Sequence, residues 1–111
     1  MFADIGGFEE FLELKQKEKV LLGYFSTEAC SVCKVLKPKV AELIHKQFPK
    51  IKMVYIQSDK FPETAAQNQV FAAPTILVFF NGREYIRKSR NIGIKELQME
   101  IERPYSMLFS E

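Results

Sequence analysis

Cys30 and Cys33 are the only thiols of the 111-residue chain, two residues apart in "FSTEACSVCKVLKP", Phe25 to Pro38. A pair at this spacing can be a redox dithiol, half of a metal site, or two small core residues. A mononuclear zinc site needs about four ligands. The chain adds one histidine, His45, well along the same segment. A cluster shared between two chains would make up the ligand count. Inert thiols remain a third reading, because free cysteine is often buried.

The elements around the pair narrow these readings. "KVLLGYFS", 19–26, is a short apolar run with aromatics and predicts a strand buried on both faces. After it the period changes: Val32, Val35, Leu36, Val40, Leu43 and Ile44 recur every three or four positions. The spacing predicts a helix from about Cys30 to Gln47, kinked at Pro38, where proline removes a donor and crowds the preceding turn. Cys30 thus stands where a buried strand gives way to a helix. The first N–H groups of a helix lack internal partners, and its dipole is positive at that end. A thiolate there is stabilised, so the Cys30 pKa is expected below the ordinary value of about 8.5. Cys33, one turn on and facing the same side, can bring its sulfur to bonding distance. Cys30 is then the nucleophile that attacks a disulfide, and Cys33 the thiol that resolves the mixed disulfide.

The remaining elements follow from the same patterns. Residues 7–18 predict a helix with Phe8, Phe11, Leu12 and the Lys15 stem on one face. "KIKMVYIQ", 50–57, predicts a second strand, and "SDKFPETAAQNQ" a loop and short helix with Pro62 in its first turn. "PTILVFF", 74–80, and "REYIRKS", 83–89, read as strands joined by the hairpin signal "NG" at 81–82. A helix over 93–103 is expected to stop at Pro104, leaving an apolar tail that packs in an unspecified place. The order α-β-α-β-α-β-β-α implies an α/β domain with a partly parallel sheet between helices and an antiparallel edge.

On these residues the chain resembles the thioredoxin-like family over about residues 5 to 103. The Cys-x-x-Cys at a helix start, followed by Lys34 and Pro38, is similar to the family's active-site segment. "AAPTILVFFNG", Ala72 to Gly82, is similar to its cis-proline strand and hairpin. The resemblance implies a three-layer α/β/α fold with a central mixed sheet of about four strands. It also implies a cis Ala73–Pro74 bond lying against the Cys pair. A proline opening a strand donates no hydrogen bond, and in the family the backbone before it pairs with substrate like an added strand. Ala29, Ala73, Pro74 and Arg90 are accordingly the expected substrate-binding residues, and Cys30 and Cys33 the catalytic ones.

The chain also departs from the family pattern. Ser31 and Val32 stand between the cysteines where typical members have Gly-Pro, and Ala29 replaces a tryptophan. Tyr24 replaces a buried acid, Tyr55 the lysine that partners it, and Arg90 a glycine beside the site. Losing the acid removes the usual proton acceptor for Cys33, for which Glu28 is the available substitute. Arg90 near Cys30 would favour the thiolate and an acidic partner. These changes fit an oxidoreductase of altered specificity. The expected function is thus a thiol–disulfide oxidoreductase using the Cys30-Ser-Val-Cys33 pair, and a thioredoxin-fold protein-binding module with redox-inactive cysteines is the alternative.

Bulk properties exclude several other classes. The length suits one domain, residues 1–111, able to bury a core without disulfide staples. Sixteen Lys and Arg against fourteen acids give a net charge of only +2, dispersed along the chain, so no nucleic-acid partner is expected. The N-terminal stretch has early acids and no signal-peptide core, and no window approaches about 20 apolar residues. No membrane association is expected, and the expected location is cytoplasmic, where a Cys pair is seldom structural. The expected partners are a protein or small-molecule disulfide and an external reductase or thiol, with no metal or organic cofactor.

Overall fold

A computed structural model describes residues 2–5 and 7–110. The elements in chain order are β1 (Ala3–Asp4), α1 (Phe8–Lys17), β2 (Val20–Ser26), α2 (Ser31–Gln47), β3 (Lys52–Gln57), α3 (Pro62–Gln67), β4 (Thr75–Phe80), β5 (Arg83–Ser89) and α4 (Ile94–Phe109). The strands form one sheet in the order β1-β3-β2-β4-β5. β1, β3 and β2 run parallel, β4 is antiparallel to β2, and β5 is antiparallel to β4.

The apolar run of β2 occupies the middle of this sheet and is buried along its whole length. Successive side chains point to opposite faces. Val20, Leu22 and Tyr24 join a cluster built with Leu36, Val40 and Ile44 of α2 and Leu97 and Ile101 of α4. Leu21 and Phe25 join the opposite cluster, with Phe11 of α1 and Ala65 of α3. Burying each large apolar side chain contributes about 1.5–3 kcal/mol, so a strand covered on both faces anchors both helix layers. Gly23 leaves room on the α1 face: a Cβ there would come within 3.2 Å of the Phe25 ring and 3.4 Å of Phe11 and press both rings aside by a few tenths of an ångström.

The hairpin is the one "NG" predicts. Asn81 and Gly82 have φ of 54° and 82°, the doubly left-handed turn whose twist suits two antiparallel strands.

The structure corrects two expectations. The sheet has five strands rather than about four, because Ala3 and Asp4 pair with Val54 and Tyr55. A two-residue strand is too short for an alternating pattern. In addition, α4 does not stop at Pro104 but continues to Phe109. Interior proline costs a helix about 3 kcal/mol. Tertiary contacts offset that here. The Tyr105 ring lies 5.0 Å from Phe48 and 4.7 Å from Phe109, and the Tyr105 hydroxyl accepts the Lys50 backbone N–H at 3.1 Å. The Lys50 ammonium lies 4.9 Å from the Phe109 ring. The tail is thus the last part of α4, packed beside the α2–β3 connection, while its final residue, Glu111, lies outside the described residues.

Candidate active site

The loop between β2 and α2 is held from both sides. The Ser58 N–H donates to the Ser26 carbonyl at 2.7 Å, and the Glu28 N–H to Asp59 Oδ2 at 3.2 Å. The Cys30 N–H closes a turn onto the Thr27 carbonyl at 3.2 Å. Cys30 is therefore the residue that caps α2 with extended backbone, and its Sγ accepts the Cys33 N–H at 3.1 Å. The sulfur satisfies one of the donors that a helix start leaves open.

Cys30 and Cys33 are joined as a disulfide, with Cα atoms 5.3 Å apart. Cys33 is 1% exposed and belongs to the α2–α4 cluster, whereas Cys30 is half-buried at its margin. The two sulfurs therefore differ in access, although one helical turn separates them.

The other expected site residues are brought towards the pair to different degrees. Ala29 is exposed in the turn before Cys30. The Ala73–Pro74 bond is cis, as the resemblance implied, and Pro74 is buried immediately before β4. Ala73 is half-buried against the same cluster as Cys30, Cys33 and Ile92. Among the described residues neither backbone polar group of Ala73 has a hydrogen-bond partner in the chain. The Thr75 hydroxyl donates to the Ala72 carbonyl at 2.7 Å and steadies the loop.

Arg90 donates its backbone N–H to the Pro74 carbonyl at 2.8 Å and has φ of 64°. A left-handed backbone costs a non-glycine residue roughly 1–2 kcal/mol, which is the physical reason a glycine suits this place. The exposed Arg90 side chain borders a shallow hollow shared with Val32, Leu36 and Ile92. Arg90 thus sits beside both the cis-proline and Val32, the second of the two residues between the cysteines. Glu28, the suggested substitute base, is exposed and is hydrogen-bonded to neither cysteine.

Several residues of the site have placements that the sequence did not foretell. Val32 and Val35, expected on the core face of α2, are 58% and 61% exposed, and Phe71 is 83% exposed. Val32 and Val35 line one hollow with Ser31 and Leu36, and Phe71 and Ala73 border another next to Thr27. Among ten phenylalanines nothing in the sequence marks Phe71 as the most exposed. Beneath the pair, Tyr24 and Tyr55 are register partners whose rings stack with centroids 5.8 Å apart. The Tyr24 hydroxyl donates to the Cys33 carbonyl at 2.6 Å, and the Lys37 ammonium lies 3.5 Å from the centre of the Tyr55 ring.

The comparisons with known proteins agree with this geometry. The Thioredoxin family model matches residues 6–103. The thioredoxin-like protein YdfQ of Bacillus subtilis is 32% identical over 88 residues, covering 79% of this chain and 78% of that protein. The thioredoxin of the same organism is 31% identical over 93 residues, covering 84% and 88%. The oxidised mitochondrial thioredoxin 3 of Saccharomyces cerevisiae superimposes with a TM-score of 0.82 over 91% of this chain and 93% of its own, at 23% identity, a likeness of fold.

Proposed function

We propose, from the premise that the chain belongs to the thioredoxin family, that this thiol–disulfide oxidoreductase works with Cys30 as nucleophile and Cys33 as resolving thiol. What carries the reading is the asymmetry of one bonded pair: a reachable sulfur at the start of α2 and a buried one a turn inside it. The helix start favours the Cys30 thiolate.

The steps balance with thiols and protons alone. The Cys30 thiolate attacks one sulfur of a substrate disulfide. The substrate S–S bond breaks, a Cys30–substrate disulfide forms, and the departing thiolate takes a proton from solvent. Cys33 then loses its proton and attacks Cys30 Sγ. The Cys30–Cys33 bond forms and the second substrate thiolate leaves. The protein dithiol is oxidised by two electrons and the substrate reduced by two. An external reductase or small thiol reverses this on the enzyme.

Ala73 and Pro74 form the docking backbone, with the free polar groups of Ala73 available to an extended substrate segment. Ala29 lines the approach to Cys30. Arg90, with no acidic partner among the described residues, selects substrates carrying an acid near the disulfide. Residues 1–111 act as one unit. Among the described residues no helix is long and apolar enough to cross a membrane. We place the protein in the cytoplasm, whose thiol pools would keep such a pair cycling.

The test is a redox titration of the purified protein, with free thiols trapped and counted by mass. A two-thiol transition ending in an intramolecular disulfide supports the reading, and its midpoint says whether the protein reduces or oxidises. General values for this fold run from about −270 to about −120 mV. Two thiols that stay free across the glutathione range would sink it and favour a binding module.

A further inference from the structure

Tyr24 fills the place where an acid would accept the proton of the resolving thiol, and its contacts suggest a different job. It is fully buried in mid-sheet, and its hydroxyl reaches across to α2 and donates to the Cys33 carbonyl at 2.6 Å. Pro38 weakens the helix one residue beyond that carbonyl. Proline withholds the N–H that the Lys34 carbonyl would use and crowds the turn holding Cys33. The tyrosine bond ties the weakened turn to the sheet.

The groups facing this spot come from every neighbouring element. The in-register row across the sheet reads Asp4, Tyr55, Tyr24, Ile76 and Lys88. Asp4 is exposed and separated from Tyr24 by Tyr55. Lys88 is engaged by Glu96 and Glu100 of α4. Phe2 packs edge-on against both tyrosines, with centroids 5.5 and 6.3 Å away. From α2 comes Lys37, its ammonium over the Tyr55 ring, while Lys34 beside Cys33 is exposed. Near the sulfurs, Glu28 and Arg90 are exposed. Among the described residues no carboxylate is hydrogen-bonded to Tyr24, Tyr55, Lys37 or Cys33. Burial, and then the neighbouring Tyr55, push the Tyr24 hydroxyl well above its ordinary pKa, so it stays a donor.

We infer that Tyr24 is a positioning residue for the second half of the reaction: it holds the Cys33 turn in place, and the Cys33 proton goes to solvent hydroxide rather than to a side-chain base. The inference rests on the dithiol reading above. In the resolving step hydroxide takes the Cys33 proton and becomes water. The Cys33 thiolate bonds to Cys30 Sγ, and the electron pair of the Cys30–substrate bond leaves with the substrate thiolate.

The experiment uses the full reduced chain and an aromatic disulfide that releases one coloured thiolate at each half-reaction. In excess reagent the second release is a first-order phase that reports resolution. For the wild type, the logarithm of its rate should rise with slope one against pH to a single inflection, that of Cys33 itself. Tyr24→Phe keeps the ring and loses the hydroxyl. It should slow the second phase about five- to tenfold, the scale of one hydrogen bond, at every pH, and leave the first phase unchanged. Tyr24→Asp, which restores an internal acid, should add a second inflection.

Two inflections in the wild type would show an internal base and overturn the inference. So would a Tyr24→Phe variant with an unchanged second phase, even at lower Tm, or one whose pH profile changes shape. If the wild type releases only one equivalent, the dithiol reading itself fails and this inference with it. If Tyr24→Phe does not fold, the wild-type profile still decides whether a base is present, and the second-phase rate of Pro38→Ala decides the positioning role. Restoring the missing helical bond should make that rate at least equal to wild type; a slower second phase in that variant overturns the inference.

Discussion

The Cys30 sulfur is both partner of Cys33 in a disulfide and acceptor of the Cys33 backbone N–H at 3.1 Å. An N–H so placed, like the helix dipole, would favour a charged Cys30 sulfur once the disulfide is reduced. Cys30→Ser should therefore abolish turnover. Cys33→Ser should still attack a substrate disulfide and stop there, accumulating a mixed disulfide visible by mass. Trapping by Cys30→Ser instead would reverse the two roles.

Arg90 combines a left-handed backbone with an exposed cationic side chain, and two substitutions separate these. Arg90→Gly relieves the left-handed conformation, worth roughly 1–2 kcal/mol, but gives the unfolded chain more freedom, about 0.4–1 kcal/mol. The expected net gain is between zero and about 1.6 kcal/mol by denaturant unfolding. Arg90→Ala keeps the strain and should show no such gain. Both should raise KM for a disulfide peptide with an acidic flank, with little change in kcat or for a neutral peptide. Equal effects on both peptides would remove the charge argument.

Features of the fold were legible where they depend on near neighbours in sequence. The period change at Cys30, the two-faced run of β2 and the "NG" hairpin are local, and so is the setting that makes Pro74 recognisable. What was not legible depends on which distant residues meet. That Tyr24 would reach the Cys33 carbonyl follows from the register of β2 beneath α2, which no spacing in the chain encodes. Val32 and Val35 have the period of core residues, yet they are exposed while Leu36 and Val40 of the same helix are buried. Pro104 obeys a local rule that the aromatic contacts of Tyr105 overrule.

That last contest predicts stability effects of opposite sign. Pro104→Ala restores a backbone donor within α4 and should stabilise the protein by about 1 kcal/mol, part of the roughly 3 kcal/mol that an interior proline costs. Tyr105→Ala removes the ring between Phe48 and Phe109 and the acceptor for the Lys50 N–H. Aromatic truncations in a full core cost 3–5 kcal/mol, and this half-buried ring should cost about 2 kcal/mol. Both are read from urea midpoints. A neutral Tyr105→Ala would mean that the end of α4 contributes nothing to the fold.

Arg87 links β5 to the turn after α3. Its guanidinium donates to Glu84 at 2.7 and 2.8 Å and to the carbonyls of Asn68 and Gln69 at 2.8 and 3.0 Å. Gln69 has φ of 56°, a conformation that needs holding. The hydrogen bond from Arg87, against a smaller opposing effect of burial, holds the Glu84 carboxyl below its ordinary pKa. A folded-state pKa below the unfolded one adds stability above the unfolded value, and that stability is lost as pH falls through the folded value. Wild-type stability should therefore decline on acidification through and below the ordinary carboxylate range. Glu84→Gln should flatten part of that decline while costing under about 1 kcal/mol at neutral pH, since the pair is a third exposed. Arg87→Ala should cost more than Glu84→Gln, because it also frees both carbonyls beside α3. Equal losses from the two substitutions would assign the whole effect to the ion pair and none to the turn.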